Sequence, residues 1–206
     1  MFLSANLRKY YGAGLMKYTR LAGYSVFVGA AQFLILMIVA EAIYPGYSVS
    51  QNYISDLGNP RLAPSTPHAT IFNTSIILLG LLLIIGGSIL AYKERGVTGR
   101  LLGVLVAISG LGAAGVGFFP EGSPYDLHVI SSLIVFLFAS LASYPASLYR
   151  GHRSPLWGAL GTIGLVALAL YIAKDYMGLG WGGMERMIVY PNLMWALGFS
   201  GSLMTN

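Results

Sequence analysis

The chain has no cysteine. That excludes disulfides, thiolate metal sites, iron–sulfur clusters and cysteine nucleophiles. It is also poor in charge, with 9% Asp, Glu, Lys and Arg against roughly 25% in an ordinary soluble domain. Histidine is scarce at three residues, and there is no HExxH pair, so the sequence offers little for a metal centre. No internal repeat and no low-complexity tract interrupts it.

What fills the chain is hydrocarbon. Of its 206 residues, 56% are hydrophobic, and the mean hydropathy is +0.69. The apolar residues fall in six runs, about 20–43, 68–91, 100–118, 127–149, 155–174 and 186–204. Each is close to the ~20 residues that cross ~30 Å of hydrocarbon as a helix. Backbone polar groups cannot be left unpaired in lipid, so such runs must be helices. The sequence therefore predicts an all-α fold, a single integral membrane domain over 1–206 with six transmembrane helices. Residues 44–67 form the longest loop, with a short helix within Ser48–Leu57 stopped by Gly58 and Pro60.

The charges sort by side. Arg8, Lys9, Lys17 and Arg20 precede the first run, Lys93, Arg95 and Arg100 lie in the second connection, and Arg150 and Arg153 lie in the fourth. Only Arg61, Lys174 and Arg186 fall on the other side. The excess of basic residues on one side predicts both termini in the cytoplasm of a cell-membrane protein. Basic residues confined to short loops are topology signals, so the formal charge of +5 does not point to nucleic acid. Residues 1–19, with Tyr10, Tyr11 and Tyr18 among basic residues, read as a short interfacial helix. Ala40-Glu41-Ala42 has the form of a signal-peptidase site, but the apolar run before it exceeds a signal core, so the first span is expected to remain.

Acids show the opposite bias. Glu94 alone is cytoplasmic in this topology, while Glu41, Asp56, Glu121, Asp126, Asp175 and Glu185 sit at the outer face. Three clusters carry the polar chemistry there. In Asn52-Tyr53-Ile54-Ser55-Asp56-Leu57-Gly58, a helix would put Asn52, Ser55 and Asp56 on one face. In the connection before the fourth span, Asp126 is placed to cap the helix and Glu121 to sit at its N-terminus. His128 lies in the first turn, with Ser132 on the same face. At the last span, Glu185 and Arg186 point apart and reach for other helices. Arg186 has the choice of an anionic headgroup, Asp56 or Glu121.

Two chemistries stay open. One is a polar pocket binding a lipid headgroup or a partner subunit through Asn52, Ser55, Asp56, Glu121, Asp126, His128, Glu185 and Arg186. The other is a membrane hydrolase or lipid-modifying enzyme, with His128, Asp56, Glu121 and Ser132 as catalytic candidates. A purely structural subunit of a membrane complex is the third reading. No cofactor is expected; haem or a metal on His68 and His128 is the weakest reading. Ionisable groups deep in the membrane are missing, which argues against a proton-coupled transporter. Small-residue series in the third span, Gly99-Gly103-Ala107 and Ser109-Ala113-Gly117, allow close helix approach. They mark a central helix or a contact with a second copy or partner. Pro145 and Pro191 are candidate kinks.

These motifs together resemble a known family. Ile54-Ser55-Asp56-Leu57-Gly58, Asn73 with Gly80, Gly117-Phe118-Phe119-Pro120-Glu121, His128 and Glu185-Arg186 follow the order seen in prokaryotic multi-pass membrane proteins called domain of unknown function 998. Glu121 departs from it, since aspartate is expected there as often. The resemblance implies six helices and a shared outer polar site, and it implies no activity.

Overall fold

The computed structural model describes residues 2–205, with side chains from residue 16 onward. Six helices make up the fold: α1 (Phe2–Ile43), α2 (His68–Lys93), α3 (Val97–Phe118), α4 (Leu127–Ser147), α5 (Pro155–Ile172) and α6 (Gly180–Met204). Two short 3-10 turns, Ser55–Gly58 and Pro124–Asp126, lie in the connections, and no strand forms among the described residues. The interfacial helix expected over residues 1–19 falls largely on positions whose side chains, those of Arg8, Lys9, Tyr10 and Tyr11 among them, lie outside the described residues. The short helix expected within Ser48–Leu57 is a turn followed by the 3-10 segment.

Each helix packs against its neighbours in sequence, and α6 returns to pack on α1, closing the ring. The loop 44–67, the α3–α4 connection and the α5–α6 connection share one end, called upper here. The C-terminal end of α6 and the other two connections share the lower end. There the Tyr149 hydroxyl donates to Glu94, the Arg100 Nε donates to the Glu94 carbonyl at 2.8 Å, and His152 meets the Ser202 hydroxyl at 3.0 Å.

Burial explains why the ring forms in lipid. On α1 the buried residues Ala22, Val26, Ala30, Phe33, Met37 and Ala40 recur every three or four positions along one stripe, facing the bundle. Leu21 and Ile35 on the opposite side are 50% and 61% exposed. Apolar surface of that kind needs a hydrocarbon surrounding. Five helices are long and apolar enough to cross a membrane, and the protein is a multi-pass membrane protein. α6 has the length, at 25 residues, but not the hydropathy, because it carries Glu185, Arg186, Asn192 and Ser200. All four are buried inside the bundle, so its polarity faces inward.

Small residues set the closest contacts. Gly103, Gly110 and Gly117 recur every seven residues along α3, and Gly80 and Gly87 do so along α2. A Cβ at Gly110 would lie 2.7 Å from the Gly80 carbonyl, and one at Gly87 would lie 2.5 Å from the Ala107 nitrogen. The other side of α3 meets α4 in the same way, with Gly112 2.5 Å from the Val135 nitrogen by the same measure. The glycines of the third span thus face α2 and α4 of their own chain. Pro145 falls in the last turn of α4 and Pro191 inside α6.

An apolar void of about 90 Å³ remains at the centre, bounded below by Leu90 and Leu203 and above by Ile54, Ser55, Ser132 and Glu185. At roughly 24 cal/mol per Å³ it represents about 2 kcal/mol of packing left unmade.

Gly110→Leu should push α2 and α3 apart at a cost of about 1–3 kcal/mol or more. The thermal midpoint in detergent is expected to fall by roughly 5 °C. Gly96→Ala, where a Cβ meets nothing within 4 Å, should leave the midpoint unchanged.

Candidate functional site

The upper end is organised around one side chain. Arg186 sits in the second turn of α6 and is 3% exposed. Its Nη1 donates to the carbonyls of Val49 (2.9 Å), Asn52 (3.2 Å) and Gly182 (3.0 Å). Its Nη2 donates to Glu41 Oε1 and to the Tyr47 hydroxyl, each at 2.6 Å. Tyr47 passes the chain on, donating to the Tyr53 carbonyl at 2.9 Å. Arg186 therefore pairs with Glu41, not with Asp56 or Glu121 as one sequence expectation had it. Its Nε is buried without an acceptor. Cleavage after Ala42 would strip this guanidinium of its carboxylate.

The neighbouring Glu185 performs the complementary task. Being adjacent on a helix, the two side chains diverge; Arg186 gathers carbonyls while Glu185 Oε2 accepts from the Ile54 backbone N–H. The loop reaches α6 because glycine lets it. The Gly182 N–H donates to the Ser50 carbonyl at 3.1 Å, and a Cβ at Gly182 would run into the Asn52 carbonyl. From the other side, Asn73 of α2 donates to the Gly58 carbonyl at 2.9 Å. The segment 47–58 is thus tied to α1, α2 and α6 across the top of the bundle.

Within that segment Asp56 folds the loop on itself. Its Oδ2 accepts from Asn52 Nδ2 at 2.8 Å and from the Tyr53 N–H at 3.1 Å. Asn52 and Asp56 do meet, but Ser55 forms part of the wall of the central void. Asp56 also meets Glu121 from the α3–α4 connection. Burial and the adjoining Asp56 carboxyl, with which it shares a hydrogen bond, push the Glu121 carboxyl up to about 7. The Asn59 side chain offers Glu121 a hydrogen bond in the opposite sense. Both carboxyls act on Tyr44, whose hydroxyl is raised chiefly by burial and then by Asp56 and Glu121.

The remaining candidates are dispersed. His128 Nδ1 meets the Phe119 carbonyl at 2.9 Å, and its Nε2 faces Ser132 Oγ at 3.4 Å. A carbonyl can only accept, so Nδ1 carries the proton and Nε2 has the free lone pair. His68 is fully buried, between the Asn59 carbonyl (3.2 Å) and the Thr66 hydroxyl (2.7 Å). Among the described residues no three His, Asp or Glu side chains are grouped to hold a metal ion. Asp126 is exposed and makes no side-chain capping bond. The expected cap is lost because Tyr125 and Asp126 adopt left-handed backbone conformations, at φ 60° and 53°.

Sequence reasoning put Glu41 among the outer-face acids but not in the site, and it missed the parts played by Tyr47 and Asn59. An acid at the very end of an apolar run, opposite an arginine opening another, was the available signal for Glu41.

A family described as protein of unknown function (DUF998) matches residues 27–201. The chain belongs to this family. No curated protein and no solved structure matches it. The DUF998 match runs from within α1 to within α6 and takes in every residue of the upper network.

Arg186→Met should leave the partly buried Glu41 without its cation and free two loop carbonyls and the Gly182 carbonyl of α6, a loss of about 3–5 kcal/mol. Thermal unfolding in detergent should register it, together with faster proteolysis within 44–59. Arg153→Gln, at the lower end, should change neither.

Proposed function

We propose that this DUF998 protein is a six-span protein of the cell membrane, with both termini in the cytoplasm. On this reading its non-cytoplasmic face carries a polar pocket that binds the headgroup of a membrane lipid. The observation that carries it is the Asp56–Glu121 pair. Two carboxyls, 65 positions apart in sequence, meet at the upper end where Glu185 adds a third. The arginine next door is neutralised by Glu41. The charge left over is negative, and Tyr44 lies beside it. Such a site suits a cationic head, since aromatic faces and carboxylates together recognise quaternary ammonium. Arg186, whose two terminal nitrogens are taken up within the chain, organises this pocket and does not contact the ligand. The partner-subunit reading lacks a comparable feature.

The alternative, a membrane hydrolase, draws on the Ser132–His128 contact. At 3.4 Å that contact is longer than the ~2.6–3.2 Å expected of a nucleophile and its base.

Two experiments test the proposal. The chain has no cysteine, so single-cysteine variants report cleanly. Ser123→Cys should react with a membrane-impermeant maleimide on intact cells, and Arg150→Cys only after lysis; the reverse pattern would invert the topology. A short-chain phosphocholine lipid should raise the thermal midpoint in detergent, more at pH 8 than at pH 6. The sign follows from Glu121: it is protonated below about 7 and adds a negative charge above it, while the choline charge is constant. Glu121→Gln should reduce the pH dependence and Asp56→Asn should remove most of the shift. A preference for anionic lipid would sink the reading, and ester turnover abolished by Ser132→Ala would favour the alternative.

A further inference from the structure

The upper half of the α5–α6 seam is open. A groove of about 290 Å³ lies there, lined by α5 residues including Ile163, Val166 and Leu170, by Met184 and Met187 of α6, and by Met177 of the connection between them. Its size matters. Small-molecule sites begin at about 300 Å³; this groove falls just short of that, and the central void of about 90 Å³ far short. The groove walls are almost wholly apolar, with Thr162 the one hydroxyl. Three methionines supply a surface that adapts to an irregular, flexible occupant.

The connection above the groove has an unusual backbone. α5 ends in a Schellman motif, in which the Asp175 N–H returns to the Leu170 carbonyl at 3.0 Å and the Lys174 N–H to the Tyr171 carbonyl at 3.1 Å. The left-handed position of such a motif is usually glycine. Here it is Lys174, at φ 58°. Met177 is left-handed as well, at φ 49°, and is 70% exposed. Two residues that disfavour this conformation are held in it: Met177 lines the groove, and Lys174 lies in the exposed stretch of chain between the lining residues Leu170 and Met177. Tyr176 and Trp181 flank the same stretch; aromatic residues of this kind sit at the headgroup level of a bilayer.

We propose that this groove is a specific phospholipid site, holding one acyl chain between α5 and α6 with the lipid phosphate on Lys174. The ligand class follows from the pairing of an apolar slot with Lys174 in the connection directly above it. The inference rests on the membrane placement of the bundle and uses none of the residues of the headgroup pocket at Asp56 and Glu121.

The test uses the whole chain in phosphatidylcholine vesicles doped with a phosphatidylcholine carrying a diazirine in its acyl chain. Photolabelling should concentrate several-fold on residues 163–170 and 184–187, relative to Leu78, Leu81 and Ile85, the equally apolar exposed face of α2. Val166→Trp fills the slot from a position already 54% exposed, so folding should be kept. It should bring labelling down to the α2 level while α2 labelling itself is unchanged. Lys174→Gln should reduce labelling of the groove several-fold. Asp56→Asn should leave the groove labelling intact, which separates failure of this site from failure of the headgroup pocket. Labelling spread evenly over α2 and α5, or labelling that survives both Val166→Trp and Lys174→Gln, would overturn the proposal.

Discussion

The Arg186 guanidinium is the interaction on which the upper half of the molecule depends. It is a buried cation in a bundle otherwise assembled from hydrocarbon, and desolvating it costs several kcal/mol. That cost is offset only because five acceptors converge on it. Three of them are backbone carbonyls, two from a loop without regular structure. Those carbonyls would otherwise be unpaired at the membrane boundary. One side chain thus solves two problems: it finds acceptors, and the loop finds donors. Glu185 closes the account from the other side by accepting the Ile54 N–H, which no carbonyl-seeking arginine can satisfy.

This constraint determines where the rest of the polar chemistry sits. With segment 47–58 fixed over the bundle, Asp56 is fixed too, and Glu121 arrives from the α3–α4 connection to meet it. Ser55, one residue earlier, is turned down toward the central void instead. The same geometry removes Arg186 from the list of ligand contacts. A charge that looks available in the sequence becomes a structural tie once its acceptors are counted.

Much of the fold was legible because span length and charge placement are read from single residues. All six apolar runs became helices with ends displaced by a few residues, except α1, which extends to Phe2. The glycine spacing of the third run announced close approach, but not its partner: the matching Gly80 and Gly87 lie in a run whose leucines and isoleucines mask them. The site was legible only as a list. Asp56, Glu121, Glu185 and Arg186 do gather at one end, whereas Asp126 stays in solvent and His128 turns to a backbone carbonyl. Pairings failed because they depend on loop conformation. Nothing in the sequence says that Tyr125 and Asp126 take left-handed backbone angles, and charge placement alone does not choose between Glu41 and Asp56 as the arginine's partner.

The two halves of the ring are packed by different means, and this accounts for where empty space remains. In lipid the apolar surface of one helix has no hydrophobic reason to prefer another helix over a chain of methylenes, so close fit must supply the association. α2, α3 and α4 achieve it with glycines in register, backbone against backbone. The α5–α6 seam has such a device mainly at its lower end, where Trp157 lies over Gly198. Higher up, Ile163, Val166 and Met187 hold the two helices at side-chain distance, and the seam opens into the groove. α6 also carries the polar side chains that close the ring on α1, which limits how far it can shift toward α5. The tie that secures the loop therefore leaves a gap on the opposite face of the same helix.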